Sequence, residues 1–270
     1  MKYWSIIQPE EAARRLEDPT WLFVDCRFTL GDPELGRSSY LREHISNSVY
    51  ADLEEDLSGR VVPGKTGRHP LPEKADFVRF LSDLGITSGT QVIAYDDTSG
   101  VMAAARLWWL LKWAGHETVA VLDGGLSAWK NVGLLTDDRP PQPRQKTHFK
   151  ANFRDDLVVG AAEVARLTPK RILVDSRTSD RYRGENETID PIGGHIPGAH
   201  SLPYAGNLAD DGKFRSVEQL RERFGQLGCG SDAETIFYCG SGVTAAHNVL
   251  GYAVAYSELP KLYAGSWSEW

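Results

Sequence analysis

The chain has 270 residues, 41% hydrophobic and 25% charged, with a formal net charge of −7. This is ordinary globular composition, long enough for two domains of about 100–150 residues, and the acidic balance speaks against nucleic acid or an anionic membrane surface as a main partner. No apolar run reaches the length of a membrane span, residues 1–9 do not read as a secretory signal, and three cysteines, Cys26, Cys229 and Cys239, are too few for a disulfide framework and match no zinc spacing. The expected setting is therefore a reducing cytoplasm, with no metal or organic cofactor implied.

In chain order, the continuous apolar runs Trp21–Asp25 and Gln91–Tyr95 predict strands covered on both faces. Residues 74–84 and 103–114 predict helices, the second heavily apolar. In the second half, Arg171–Asp175 and Glu234–Tyr238 predict strands, and 217–227 and 243–256 predict helices. Strands separated by helical segments imply βαβ units and a mainly parallel sheet, an α/β fold.

The chain also repeats itself. Phe23-Val24-Asp25-Cys26-Arg27 recurs as Leu173-Val174-Asp175-Ser176-Arg177, and His44-Ile45 recurs as His195-Ile196. Val92-Ile93-Ala94-Tyr95-Asp96 recurs as Thr235-Ile236-Phe237-Tyr238-Cys239, and Gly125-Leu126-Ser127-Ala128-Trp129 recurs near the end as Gly265-Ser266-Trp267-Ser268-Glu269-Trp270. Kept order and spacing predict two homologous domains. The proline-rich polar stretch between them predicts a stiff, exposed connection. The expected boundaries are 1–138, a linker at 139–152, and 153–270.

Chemistry is concentrated at Glu234-Thr235-Ile236-Phe237-Tyr238-Cys239-Gly240-Ser241-Gly242-Val243-Thr244. A thiol at the carboxyl end of a strand and the amino end of a helix stands where open α/β sheets bind ligands and where free N–H groups favour an anion. Gly240 and Gly242 would let several N–H groups curl toward one sulfur. The matching position in the first half is Asp96, whose carboxylate can stand in for a bound anion, so the first domain is expected to be catalytically silent at this loop. Cys26 and Cys229 read as small hydrophobes. His44, His195 and His247 read as structural, as does Arg177, the partner of the repeated aspartate.

The loop Cys239-Gly240-Ser241-Gly242-Val243-Thr244-Ala245, the tandem halves, the Asp-x-Arg pairs, Gly194-His195-Ile196-Pro197-Gly198-Ala199 and the closing Gly265–Trp270 segment together resemble rhodanese-type sulfurtransferases, over nearly the whole chain. The small residues after the cysteine resemble the 3-mercaptopyruvate enzymes of that family more than the thiosulfate enzymes, which carry basic residues there. The resemblance implies two tandem rhodanese-like domains with the active site at their interface. It implies an enzyme moving sulfane sulfur from 3-mercaptopyruvate through a Cys239 persulfide to cyanide, a thiol or thioredoxin. The alternatives are a thiosulfate:cyanide sulfurtransferase and a non-turnover sulfur carrier or binding module.

Residue by residue, the resemblance implies catalytic roles for Cys239, Ser241, His69 (in Arg68-His69-Pro70-Leu71-Pro72) and Glu54, where relatives have an aspartate. It implies donor binding by Arg181 and by the loop Gly240, Gly242, Val243 and Thr244. The family's second arginine before Gly-His-Ile-Pro is missing. That stretch reads Thr188-Ile189-Asp190-Pro191-Ile192, leaving Arg183 as the candidate substitute. Cysteine phosphatases, a different reaction class, need an arginine six residues after the cysteine, and Ala245 stands there.

Overall fold

A computed structural model describes residues 2–166, 168–230 and 232–270. The chain divides into two units, Met1–Gly59 with Leu71–Arg154, and Arg60–Pro70 with Asp155–Trp270. In the first unit, strands β1 (Ile6–Ile7), β2 (Trp21–Asp25), β3 (Val49–Tyr50), β4 (Gln91–Tyr95) and β5 (Val119–Leu122) form a sheet in the order β1-β5-β4-β2-β3. Every described pairing in it is parallel. Its helices are α1 (Pro9–Ala13), α2 (Pro33–Arg42), α3 (Lys74–Asp83), α4 (Ala103–Trp113) and α5 (Gly125–Asn131).

The second unit contains helices α6 (Ala161–Val164) and α7 (Ser179–Arg183), α8 (Val217–Gly225), α9 (Thr244–Tyr256) and α10 (Ser266–Glu269). Its strands β6 (Arg171–Asp175), β7 (His200–Ser201), β8 (Glu234–Tyr238) and β9 (Lys261–Leu262) run parallel in the order β7-β6-β8-β9.

The elements follow from burial. Every residue of β2 and β4 is buried, as a strand covered on both faces requires. α4 is buried on all sides, which accounts for its continuous Ala-Leu-Trp run. α8 is set off by a reciprocal capping box between Ser216 and Gln219 and buries Leu220 and Phe224, one turn apart. The predicted strands and helices of both halves are present, with ends shifted by no more than two residues. No helix among the described residues is long and apolar enough to cross a membrane.

Residues 139–152, expected as an exposed linker, are mostly exposed and are also tied to the first unit at several points. Thr147 N–H donates to the Ser82 carbonyl at 2.9 Å and Asn152 N–H to the Ala114 carbonyl at 3.0 Å. Arg144 reaches the carbonyls of Trp21 and Pro19 at 3.3 and 3.1 Å. Backbone donors of a proline-containing segment find carbonyls at helix and strand ends instead of solvent.

The duplication extends to side-chain networks. Arg27 grips Asp25 through Nε (3.1 and 3.0 Å) and a terminal nitrogen (2.7 Å), and Arg177 grips Asp175 the same way (3.1, 3.2 and 2.6 Å). Each pair is buried, so each charge needs its partner. The Tyr95 hydroxyl accepts from Ile45 N–H, and the Tyr238 hydroxyl from Ile196 N–H, both at 3.1 Å. His44 and His195 stack on Tyr40 and Tyr182 and bond those residues' own carbonyls at 2.7 and 2.8 Å. The structural reading of these histidines and of Arg177 follows from that matched geometry.

At the carboxyl end of β4, the buried Asp96 carboxylate accepts N–H bonds from Thr98 (2.9 Å), Gly100 (2.7 Å), Met102 (3.2 Å) and Ala104 (3.4 Å). Desolvation outweighs those donors and pushes its pKa up from 3.8 to about 6. The native state therefore keeps a proton that the unfolded chain has released, so the contribution to stability is present at low pH and is lost as pH rises through 6. Urea unfolding of wild type and Asp96→Asn across this range tests it. Wild type should lose about 2–3 kcal/mol relative to the variant between about pH 4 and about pH 7. Parallel pH profiles would contradict the shift.

Candidate active site

β8 delivers Cys239 to the carboxyl edge of the second sheet, and α9 starts five residues later at Thr244. Cys239 is 1% exposed. Gly242 N–H donates to its Sγ at 3.1 Å. Val243, at the N-cap, contributes no side-chain cap, so the helix end is left to its backbone donors. The amide of Cys239 donates to Ser266 Oγ at 3.1 Å, and its carbonyl accepts from Trp267 N–H at 3.0 Å. The first unit makes the matching contact, Leu126 N–H to the Asp96 carbonyl at 2.8 Å. The closing Gly-Ser-Trp-Ser-Glu-Trp segment thus braces the cysteine loop from behind.

Gly242 adopts φ +76°, and a β-carbon there would stand 2.4 Å from the Ala264 carbonyl oxygen. Both facts require glycine. Ser241 is buried, with Oγ 2.8 Å from His69 Nδ1, and His69 is itself buried. His69 arrives on the 60–70 segment, which groups with the second unit. A hydroxyl–imidazole pair beside a thiol can hold or pass a proton.

Arg181, on α7, is gripped by Glu187 (3.0 and 2.8 Å) and reaches Asp190 at 3.1 Å. Its terminal nitrogens lie about 3.5 Å from where a Gly240 β-carbon would stand. Glu187 is held below the usual carboxylate range: burial pushes it up, but Arg181 and the N–H groups of Asp190 and Ile189 outweigh burial. Arg183 projects to the surface, where Glu185 engages it at 2.8 and 2.6 Å. Glu54 is an exposed residue of the first unit whose N–H donates to Asp52 Oδ1 at 2.8 Å. Val243 is buried and Thr244 half-buried, and both belong to the turn into α9.

Sequence reasoning missed Arg68. Its guanidinium pairs with Asp190, its amide donates to Ser268 Oγ at 3.0 Å, and a terminal nitrogen stands 2.7 Å from the Gly240 β-position. The available signal was its place beside His69. The other cysteines are buried, and burial pushes both thiols up, Cys26 strongly, with the carboxylates of Asp25, Asp96 and Asp56 adding to it. His247 is buried, stacked on Phe214 and within 3.3 Å of Asn207. No cluster of three His, Cys, Asp or Glu suited to a metal occurs among the described residues.

Comparison with known proteins places these features in context. A model of the rhodanese-like domain matches residues 8–132 and again 161–270. A probable 3-mercaptopyruvate sulfurtransferase of Pseudomonas aeruginosa is 45% identical over 269 residues, 98% of this chain and 94% of its own length. The bovine thiosulfate sulfurtransferase is 34% identical over 240 residues, 87% of this chain and 79% of its own. Among solved structures, SseA from Escherichia coli, described as a 3-mercaptopyruvate sulfotransferase, superposes with a TM-score of 0.84 at 30% identity, covering 99% of this chain and all of its own.

The Gly242 turn is the most restrictive element of the site. Gly242→Ala should destabilise the protein by about 3 kcal/mol through the left-handed backbone and the forced carbonyl contact. A shift in the urea midpoint measures this, and an unchanged midpoint would contradict the assigned close approach.

Proposed function

Because the chain belongs to the rhodanese-like domain family and carries two such domains in tandem, we propose that it is a sulfurtransferase taking sulfur from 3-mercaptopyruvate onto Cys239. The observation that carries this reading is the placement of Cys239 Sγ under the Gly242 N–H, with the His69–Ser241 pair joined to the same loop.

The Cys239 thiolate attacks the donor's sulfur. The donor's C–S bond breaks, and its electron pair leaves on carbon as the enolate of pyruvate. That enolate takes up the proton released from the donor thiol, and Cys239 is left as a persulfide, Cys–S–S⁻. An acceptor thiolate or cyanide then attacks the outer sulfur and regenerates the thiolate. This is a two-step covalent exchange.

Gly242 N–H and the amino end of α9 stabilise the sulfur anion in both states. Ser241 and His69, 2.8 Å apart, hold the proton that moves to the enolate. Arg181 meets the donor's carboxylate, for which a planar guanidinium offers paired donors. Phosphate chemistry has no support in this loop, since the position six residues after Cys239 is the buried Ala245.

Treating the protein with 3-mercaptopyruvate should add one sulfur, about 32 Da, to the peptide bearing Cys239, and Cys239→Ser should abolish the gain. Ser241→Ala should lower kcat about 100-fold, the usual scale of a lost proton-transfer group. A kcat/KM for thiosulfate tenfold above that for 3-mercaptopyruvate would reassign the donor. Persulfide formation without turnover would make the protein a carrier.

A further inference from the structure

Two guanidinium groups approach the cysteine loop, Arg68 from the 60–70 segment and Arg181 from α7, both beside the Gly240 position. Between them stands one carboxylate. Asp190 pairs with Arg68 through one oxygen and lies 3.1 Å from Arg181 through the other, and its side chain is 4% exposed. Its own N–H is fixed by Glu187 at 3.0 Å, so the carboxylate is presented by a rigid turn. Glu187 takes Nε and Nη2 of Arg181 and also pairs with the neighbouring Arg177 at 3.3 Å, which Asp175 grips as well. The two positive charges near Gly240 are therefore already balanced by Asp190 and Glu187. Arg68 is not saturated, since its Nε is buried without a hydrogen-bond partner among the described residues.

We propose that Asp190 is the specificity-determining residue for anionic sulfur donors, because its carboxylate pairs with Arg68 and Arg181 and so sets a like charge beside the anionic group of any donor those arginines bind. The inference rests on the sulfurtransferase reading above. A donor anion reaching Arg68 Nη2 and Arg181 Nη1, the terminal nitrogens that Asp190 does not engage, meets a like charge a few ångströms away. In a half-buried setting that repulsion is strong. Its sign predicts weak donor binding in wild type, weaker for doubly charged thiosulfate than for singly charged 3-mercaptopyruvate. Asp190 touches no reacting atom, so its effect falls on KM.

The test compares KM and kcat of wild type, Asp190→Asn and Asp190→Ser with 3-mercaptopyruvate and thiosulfate at low and high salt. The asparagine keeps the shape and an acceptor for Arg68 while removing the charge, and the serine guards against a misfolded asparagine variant. Both variants should bind donor at least fivefold more tightly by KM, more so for thiosulfate. Their kcat should stay within twofold, and the KM gain should shrink at high salt as charges are screened. Arg68→Gln should move KM the other way. An unchanged or raised KM in either folded Asp190 variant overturns the proposal, because a purely structural Asp190 predicts that result. Wild type that forms no persulfide from either donor overturns the sulfurtransferase reading itself. Wild type that turns over while the Asp190 variants match it overturns this inference alone.

Discussion

The site depends on one close approach. Gly242 turns with φ +76° against the Ala264 carbonyl, and no side chain fits between them. That contact lets the loop fold back on itself within three residues, bringing the Gly242 N–H to 3.1 Å from Cys239 Sγ. Two residues after that turn, α9 begins at Thr244. The carbonyls of Cys239 and Gly240 are then free to accept from Trp267 and Ser268, which locks the closing segment against the loop. Without that turn, the thiol would be one more buried cysteine like Cys26.

The duplicated chain supplies its own comparison. Both halves keep the Asp–Arg clamp, the tyrosine at the end of the central strand and the stacked His–Tyr pair, so those features serve the fold. What differs is the content of one turn. The first half fills it with a carboxylate bonded to four N–H groups. The second half places a sulfur there, and the helix begins two residues sooner after it. The same backbone device therefore holds an internal anion in one unit and, in the proposed reaction, holds a reacting one in the other.

Much of this was legible in the sequence because it is local or repeated. Trp21–Asp25 and Glu234–Tyr238 are short, largely apolar runs of the length and β-rich composition that a doubly covered strand needs, and the Cys-Gly-Ser-Gly pattern announces its turn. The two-residue strands β1, β3, β7 and β9 were not legible, since two residues carry no periodicity. The stretch 139–152 is mostly exposed, as its polar, proline-rich composition suggests, but composition says nothing of the carbonyls of the first unit that its N–H groups meet. Arg68 was missed for a related reason. Its partner Asp190 is 122 residues away, and no pattern along the chain encodes such a pairing. Asp190, in turn, looked like a lost arginine until the carboxylate was seen bridging Arg68 and Arg181.

In the proposed reaction Cys239 takes the sulfur before any acceptor is needed. Mixing the protein with excess 3-mercaptopyruvate in the absence of acceptor, and measuring pyruvate released in the first turnover, tests this most directly. The two-step route gives a burst of one pyruvate per chain that then stalls, resumes on adding cyanide or a thiol, and is absent in Cys239→Ser. A burst that survives in Cys239→Ser, or pyruvate release in wild type that begins only once acceptor is present, would contradict it.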